Sequence, residues 1–276
     1  YHEVVRRGLF LPPFGEAADP GFLASLASEA ERVGWDGVFL WDHLRFPGVE
    51  NILDPWIALA AIASATQRIR LGQMVTPLPR RSPWVVARQA AALDILSRGR
   101  MVLGVGLGDP QGDEFATFGE ELDLRTRAGM LDEALELIPQ LLTGAELEHT
   151  GTHYQLSRTS FRPAAVQQPL PIWVAARWPN RAPVRRAARF QGVFAIQLER
   201  PEELLALRAL LAEFGQISDH FEVVVAQPPG TNPRPWQEAG ATWLLDWFAP
   251  QDLRREDLQL RVSGGPGSWP APSAVG

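Results

Sequence analysis

The chain is 276 residues long, 46% hydrophobic and 21% charged, with a formal net charge of −6 and no cysteine. That length accommodates one α/β barrel, and the negative balance excludes a nucleic-acid polyanion as partner. The absence of thiols excludes disulfides, thiolate nucleophiles and cysteine-held metals. Its basic residues are all arginine, which excludes a Schiff-base or phosphate-loop lysine and points to a high-GC genome.

Apolar runs alternate with helix-like segments from the start. "GLFLPP" (8–13) reads as a strand stopped by prolines. Asp19-Pro20 opens a helix as N-cap and N1, and Gly34 closes it. "GVFLW" (37–41) is the next strand, and Asp54-Pro55 opens the helix "WIALAAIASA" (56–65). "IRLGQMV" (69–75) follows, then Ser82-Pro83 opens a helix to about Ser97. "MVLGVGLG" (101–108) is the fourth strand. Strands recurring about every 30 residues, nearly all apolar, describe strand–crossover–strand units and a parallel sheet covered by helices.

The rhythm breaks over 109–170. Leu131, Leu135, Ile138 and Leu142 space one buried stripe on a long helix (125–142), and "LEHTGTHYQL" (147–156) reads as a hairpin around Gly151. Four more strands follow: "PIWVAA" (171–176), "GVFAIQ" (192–197), "FEVVVA" (221–226) and "ATWLLDW" (241–247). Helices are expected near 181–190, from Pro201 to Phe214, and over about 250–262. The fold class is therefore α/β, a TIM (β/α)8 barrel with an insertion after strand 4 and a shortened seventh crossover (227–240). Residues 1–263 make the barrel domain, and 264–276 a Gly/Pro-rich tail. "GVGLGD" (104–109) is no dinucleotide fingerprint, because Asp109 stands where a final small residue belongs. No run reaches the ~18 apolar residues of a membrane span and the N-terminus has no signal-peptide pattern, so a cytoplasmic protein without membrane contact is expected.

A barrel builds its active site at the C-terminal strand ends, which here carry Pro12 to Phe14, Asp42-His43, Thr76, Gly106 to Asp109, Ala175 to Arg177, Gln197, Gln227 and Asp246. His43 can exchange a proton near neutral pH or hold a heterocycle; the alternative is a loop histidine held by Asp42. The strand-4 glycines, Gly106 among them, would admit a flat ligand close to the backbone, or serve tight packing. "AARWPNRAP" (175–183) offers an arginine and backbone N–H groups to a phosphate, whereas the arginines of "PLPRRSPW" (77–84) read as a solvated face. His149 and His153 are four apart, a spacing that serves a metal only on a helix, and Gly151 lies between them. No metal site is expected.

"GWDGVFLWDH", "RIRLGQMVTPLPRRSPWVVARQAAALDILSRGRMVLGVGLGD" and "PLPIWVAARWPNRAPVRRAARFQGVF", in this order and spacing, resemble the bacterial luciferase-like monooxygenase family over about residues 5–200. The resemblance implies a TIM barrel binding FMN or the deazaflavin F420, with a small organic substrate and a possible homodimer. Asp42 and His43 would face the ring with Trp41 beside them, His43 as acid/base. Met74, Val75 and Thr76 would lie against the ring, where the family often carries a non-prolyl cis peptide. Asp109 would stand where F420-dependent members often place a glutamate, and Ala175, Ala176 and Arg177 would take the phosphate. Alanines replace the family's usual glycines in that segment. The implied function is a flavin- or deazaflavin-dependent oxidoreductase, with F420 favoured over FMN by the arginine-only composition. A flavin carrier or sensor without turnover is the alternative.

Overall fold

The computed structural model describes residues 5–108, 114–215, 218–251 and 253–267. Its main sheet is parallel and closes on itself. In chain order the strands are β1 (Arg6–Leu11), β2 (Gly37–Leu40), β3 (Arg70–Gln73), β4 (Thr76–Pro77), β5 (Leu103–Gly106), then, after the hairpin β6 (Glu146–Thr150) and β7 (Gln155–Ser160), β8 (Ile172–Arg177), β9 (Gly192–Ile196), β10 (Glu222–Gln227) and β11 (Trp243–Trp247). Neighbours run β3-β2-β1-β11-β10-β9-β8-β5-β4. β3 and β4 are two parts of one stave, with the cis Met74–Val75 peptide between them. Both parts meet the β5 stave, Leu71 opposite Met101 just before β5 and Thr76 opposite Val105 within it. Eight staves result, as the strand count predicts.

Alternation along each strand divides two cores. Leu9 and Leu11 of β1, and Val38 and Leu40 of β2, point outward to the helices. Phe10 and Phe39 point into the barrel with Met74, Trp173, Phe194 and Trp243. Phe39, Trp173 and Trp243 form a lower aromatic layer with ring centroids 5.4–5.7 Å apart. The barrel is thus plugged from below, and any cavity must lie above, at the C-terminal strand ends.

The outer layer comprises α1 (Pro20–Arg32), α2 (Pro55–Ala65), α3 (Pro83–Ser97), α5 (Leu124–Leu142), α6 (Arg181–Ala187), α7 (Pro201–Glu213), α8 (Pro233–Glu238) and α9 (Arg255–Ser263), while the single turn α4 (Glu114–Thr117) lies beside the cavity. Asp19 Oδ1 accepts from the N–H groups of Gly21 (2.8 Å) and Phe22 (3.1 Å), and Asp54 Oδ1 from that of Ile57 (3.0 Å). Ser82 occupies the N-cap position of α3 without a side-chain bond. Gly34, at φ 96°, ends α1 in the left-handed conformation that glycine adopts without strain. α9 starts about five residues later than its sequence pattern suggests, where Glu256 and Asp257 can complement the positive helix start. The seventh crossover holds only the six residues of α8. The hairpin is fastened to α5 by Glu133, which accepts from the N–H groups of His153 (2.9 Å) and Tyr154 (2.8 Å) and lies 2.9 Å from His149 Nε2. Most of the Gly/Pro-rich tail lies outside the described residues. No helix among the described residues is long and apolar enough to cross a membrane.

The seam between β3 and β5 depends on glycine. A Cβ on Gly72 would lie 1.9 Å from the Val102 carbonyl oxygen, and one on Gly104 2.2 Å from that of Gln73. Strand-to-strand approach therefore claims these glycines, not a ligand. Below the seam the buried Arg100 guanidinium donates to the carbonyls of Ala63, Thr66, Ile69 and Ser97 at 2.7–3.0 Å, satisfying the ends of α2 and α3 and the entry to β3. Since a backbone carbonyl cannot yield as a side chain can, Gly72→Ala is expected to cost about 4 kcal/mol or to prevent folding. Urea denaturation of the purified variant measures this, and an unchanged midpoint would contradict the seam's dependence on glycine.

Candidate active site

A cavity of about 890 Å³ opens above the aromatic layer at the C-terminal strand ends, within the range that holds drug-sized organic ligands. Phe10, Met74, Val75, Ala175, Phe194 and Ala226 make an apolar floor. Trp41, His43 and Trp247 rise on the side of β2 and β11, and Arg177, Asn180 and Gln197 on the side of β8 and β9. Gln197 takes φ 62°, a left-handed conformation that a non-glycine residue holds at a cost of about 1–3 kcal/mol and that clusters at ligand sites.

The chemistry sits beside β2. Residues 41 and 43 share the inward parity of Phe39, so Trp41 and His43 both reach the cavity. Asp42 also borders it, but its carboxylate is fully buried against arginine: Oδ1 lies 3.1 Å from Arg80 Nη2 and 2.7 Å from Arg81 Nη2. Arg80 crosses to a second carboxylate, with Nη1 2.5 Å from Glu114 Oε2. That same oxygen is 3.3 Å from His43 Nδ1, while Glu114 Oε1 accepts from the backbone N–H groups of Leu44 and Arg45. Burial pushes the Glu114 carboxyl pKa up. The hydrogen bonds from His43 and the Arg45 N–H, with the Arg80 charge, outweigh that and hold it at about 2. An ionised Glu114 fixes the proton of a neutral imidazole on Nδ1 and leaves the Nε2 lone pair available.

The sequence-derived candidates fall into groups. Trp41, His43, Met74, Val75, Gly106, Ala175 and Arg177 line the cavity together. A Cβ on Gly106 would stand 2.8 Å from Val75 Cγ2, so this glycine makes room for a neighbouring stave as well as for the floor. Ala176 faces the outer core, as its strand parity requires, and can offer only backbone to a phosphate. Thr76 is buried with its hydroxyl unpartnered, outside the lining. Asp109 lies outside the described residues, and the carboxylate against His43 belongs to Glu114. Asp42 does not hold His43, whose carboxylate partner is Glu114. Asp246, expected at the rim, is buried behind β11 between Arg7 (2.8 Å) and Arg261 (2.7 Å).

The "PRR" arginines are corrected outright. Arg80 and Arg81 form no solvated face, since their side chains are 3% and 17% exposed and neutralise the carboxylates below His43. Three residues in a row, Leu78–Arg80, form a tight turn after β4 that brings both guanidinium groups back under the β2 end. Glu114 was legible only as one of several acids in "GDPQGDEF" (108–115), with nothing in the pattern to single it out.

Residues 5–237 match the model of the luciferase-like monooxygenase family. The chain belongs to that family. An F420-dependent glucose-6-phosphate dehydrogenase from Amycolatopsis mediterranei is 36% identical over 171 residues, 59% of this chain and 50% of that protein. The chain spans about half the length of the curated relatives it matches. The F420-dependent tetrahydromethanopterin reductase of Methanopyrus kandleri superposes with a TM-score of 0.76 at 17% identity, covering 95% of this chain and 98% of that one. The FMN-bound oxygenating constituent of 3,6-diketocamphane monooxygenase from Pseudomonas putida superposes at 0.68 and 21% identity, covering 81% and 67%. Both likenesses confirm the luciferase-like TIM barrel.

Because the Glu114 pKa is lowered from 4.5 to about 2, its stabilisation is complete above pH about 4.5 and is lost as pH falls toward 2. Glu114→Gln should remove that part of the acid sensitivity. It should also cost about 3 kcal/mol at neutral pH by leaving Arg80 half-paired. Urea midpoints measured across this pH range for both proteins test the two effects.

Proposed function

We propose that the protein is an oxidoreductase of the luciferase-like family that binds F420, with FMN as the other candidate, and oxidises or reduces a small organic substrate beside His43. The observation that carries this reading is the pairing of His43 with Glu114, ionised at neutral pH, on the rim of an apolar-floored cavity. The 36% identity to an F420-dependent dehydrogenase supports the choice of cofactor.

The lining fits a flat heterocycle with an anionic end. Gly106, Ala175 and Ala226 keep the floor low between Met74, Val75 and Phe194, so a planar ring system can lie on it. Arg177 stands at the opposite side from His43, where a phosphate would meet positive charge; Arg186 beside it is already paired with Asp132 at 2.6 and 2.8 Å. When bound, F420 supplies hydride transfer to or from carbon, chemistry that no side chain here provides. The chain's own contribution is proton handling and orientation. His43 Nε2 accepts the hydroxyl proton of an alcohol, or returns it to a carbonyl oxygen, and Glu114 stabilises the imidazolium that forms. Arg80, shared between Glu114 and Asp42, holds that carboxylate in place. The aromatic walls exclude water from the reacting atoms.

His43→Gln should bind F420 within about threefold of the unaltered protein while turnover falls about a hundredfold or more. Cofactor titration by absorbance and steady-state assay across a panel of alcohols and carbonyls separate the two. Turnover at an undiminished rate would refute the proton role. Tight binding of F420 or FMN with no redox turnover on any substrate would make the protein a carrier, and binding of neither would overturn the reading.

A further inference from the structure

The cavity has two chemically distinct sides. In the sector of β11, β1 and β2, the His43 imidazole is packed by Phe14 (6.0 Å), Trp41 (5.9 Å) and Phe46 (5.4 Å between centroids). Trp247 lies nearly parallel to Trp41 at 6.4 Å, with interplanar angle 22°, and is 36% exposed at the mouth. Leu124, which lines the cavity at the start of α5, is half exposed. Arg177, Gln197 and Gln227 lie in the other sector, at the ends of β8, β9 and β10, with Arg186 of α6 beside them in its ion pair with Asp132 (2.6 Å).

Cations near His43 are already committed. Arg80 and Arg81 are spent on Asp42 and Glu114, and Arg45 reaches to Thr117 Oγ1 at 3.4 Å. Among the described residues lining the aromatic sector, His43 is the one that can exchange a hydrogen bond and a proton at neutral pH. A sugar phosphate placed there would find, besides His43, only the indole N–H groups of Trp41 and Trp247 for its several hydroxyls, with no side-chain acceptor among the rings, and its dianion would lie where the cations are already paired, both unfavourable. A neutral molecule with a single oxygen suffers neither penalty, and it covers Trp247 and Leu124, which otherwise stay hydrated.

We infer that the substrate site beside His43 selects a neutral, apolar alcohol or its ketone, cyclic or aliphatic, and rejects sugar phosphates. The oxygen meets His43 Nε2, and the hydrocarbon body lies between Trp41, Phe46 and Trp247. This rests on the proposed oxidoreductase reading for the oxygen's role, and departs from the substrate in the name of the Amycolatopsis relative.

Isothermal titration of the protein with cyclohexanone and with glucose 6-phosphate, each with and without F420, tests it free of turnover, since ketone and oxidised coenzyme do not react. Cyclohexanone is expected to bind at least about tenfold tighter than the sugar phosphate, with a negative heat-capacity change and little response to salt. Trp247→Ala and Phe46→Ala should each weaken it about tenfold, with folding of both variants checked by circular dichroism melts. Glucose 6-phosphate binding as tightly as the ketone, or ketone binding indifferent to both substitutions, would overturn the inference. A protein that discriminates the two ligands as expected but never binds F420 or FMN would retain the site's selectivity and lose the proposed function instead.

Discussion

The site is organised by one buried cation. Arg80 lies between Asp42 and Glu114, 3.1 Å from the first and 2.5 Å from the second, with its side chain almost wholly covered. It ties the turn after β4 to the end of β2 and to α4, three segments that meet only at the C-terminal face. Removing either carboxylate would strand a charge where water cannot reach it, a larger loss than any surface ion pair produces. The orientation of His43 follows from this bridge, because the Glu114 oxygen that meets Arg80 is also the one facing Nδ1.

The two ends of the barrel use buried charge differently. At the N-terminal face Arg100 is satisfied by backbone carbonyls, and on the outer side of β11 Asp246 is satisfied by Arg7 and Arg261. Each of those charges closes a structural joint and leaves no group facing the cavity. At the C-terminal face the same kind of pairing leaves an imidazole nitrogen uncommitted beside an open volume. This division agrees with the general separation of stability and chemistry between the ends of such barrels.

Most of the architecture was legible from the strand rhythm, and more of the site was legible than residue type alone suggests. Strand parity carries Trp41 and His43 inward with Phe39, and Ala175 and Arg177 inward with Trp173, while turning Ala176 to the helices. It could not reveal that Asp42 would be claimed by arginines nearly forty positions away, because a run of arginines at a helix start ordinarily faces water. Glu114 was illegible for a related reason. Its role depends on α4 lying against the β2 end, and the family resemblance pointed to the nearby Asp109 instead. The glycines of β5 were ambiguous until the closeness of the β3 seam showed which contact they serve.

Charge balance links this geometry to proton transfer. Asp42 and Glu114 contribute two negative charges, and Arg80 and Arg81 two positive ones, so the cluster is neutral while His43 is neutral. Taking up a proton makes His43 an additional cation, directly against a carboxylate held in its ionised form. The fixed pairs absorb that change without rearranging, because Glu114 is already aligned by two backbone N–H groups and Arg80. Preorganisation of this kind lowers the cost of moving charge in a water-poor site. It also restricts what the rest of the cavity must supply, since the proposed substrate would need to offer His43 only one oxygen and would meet aromatic rings in the sector of Trp41, Phe46 and Trp247.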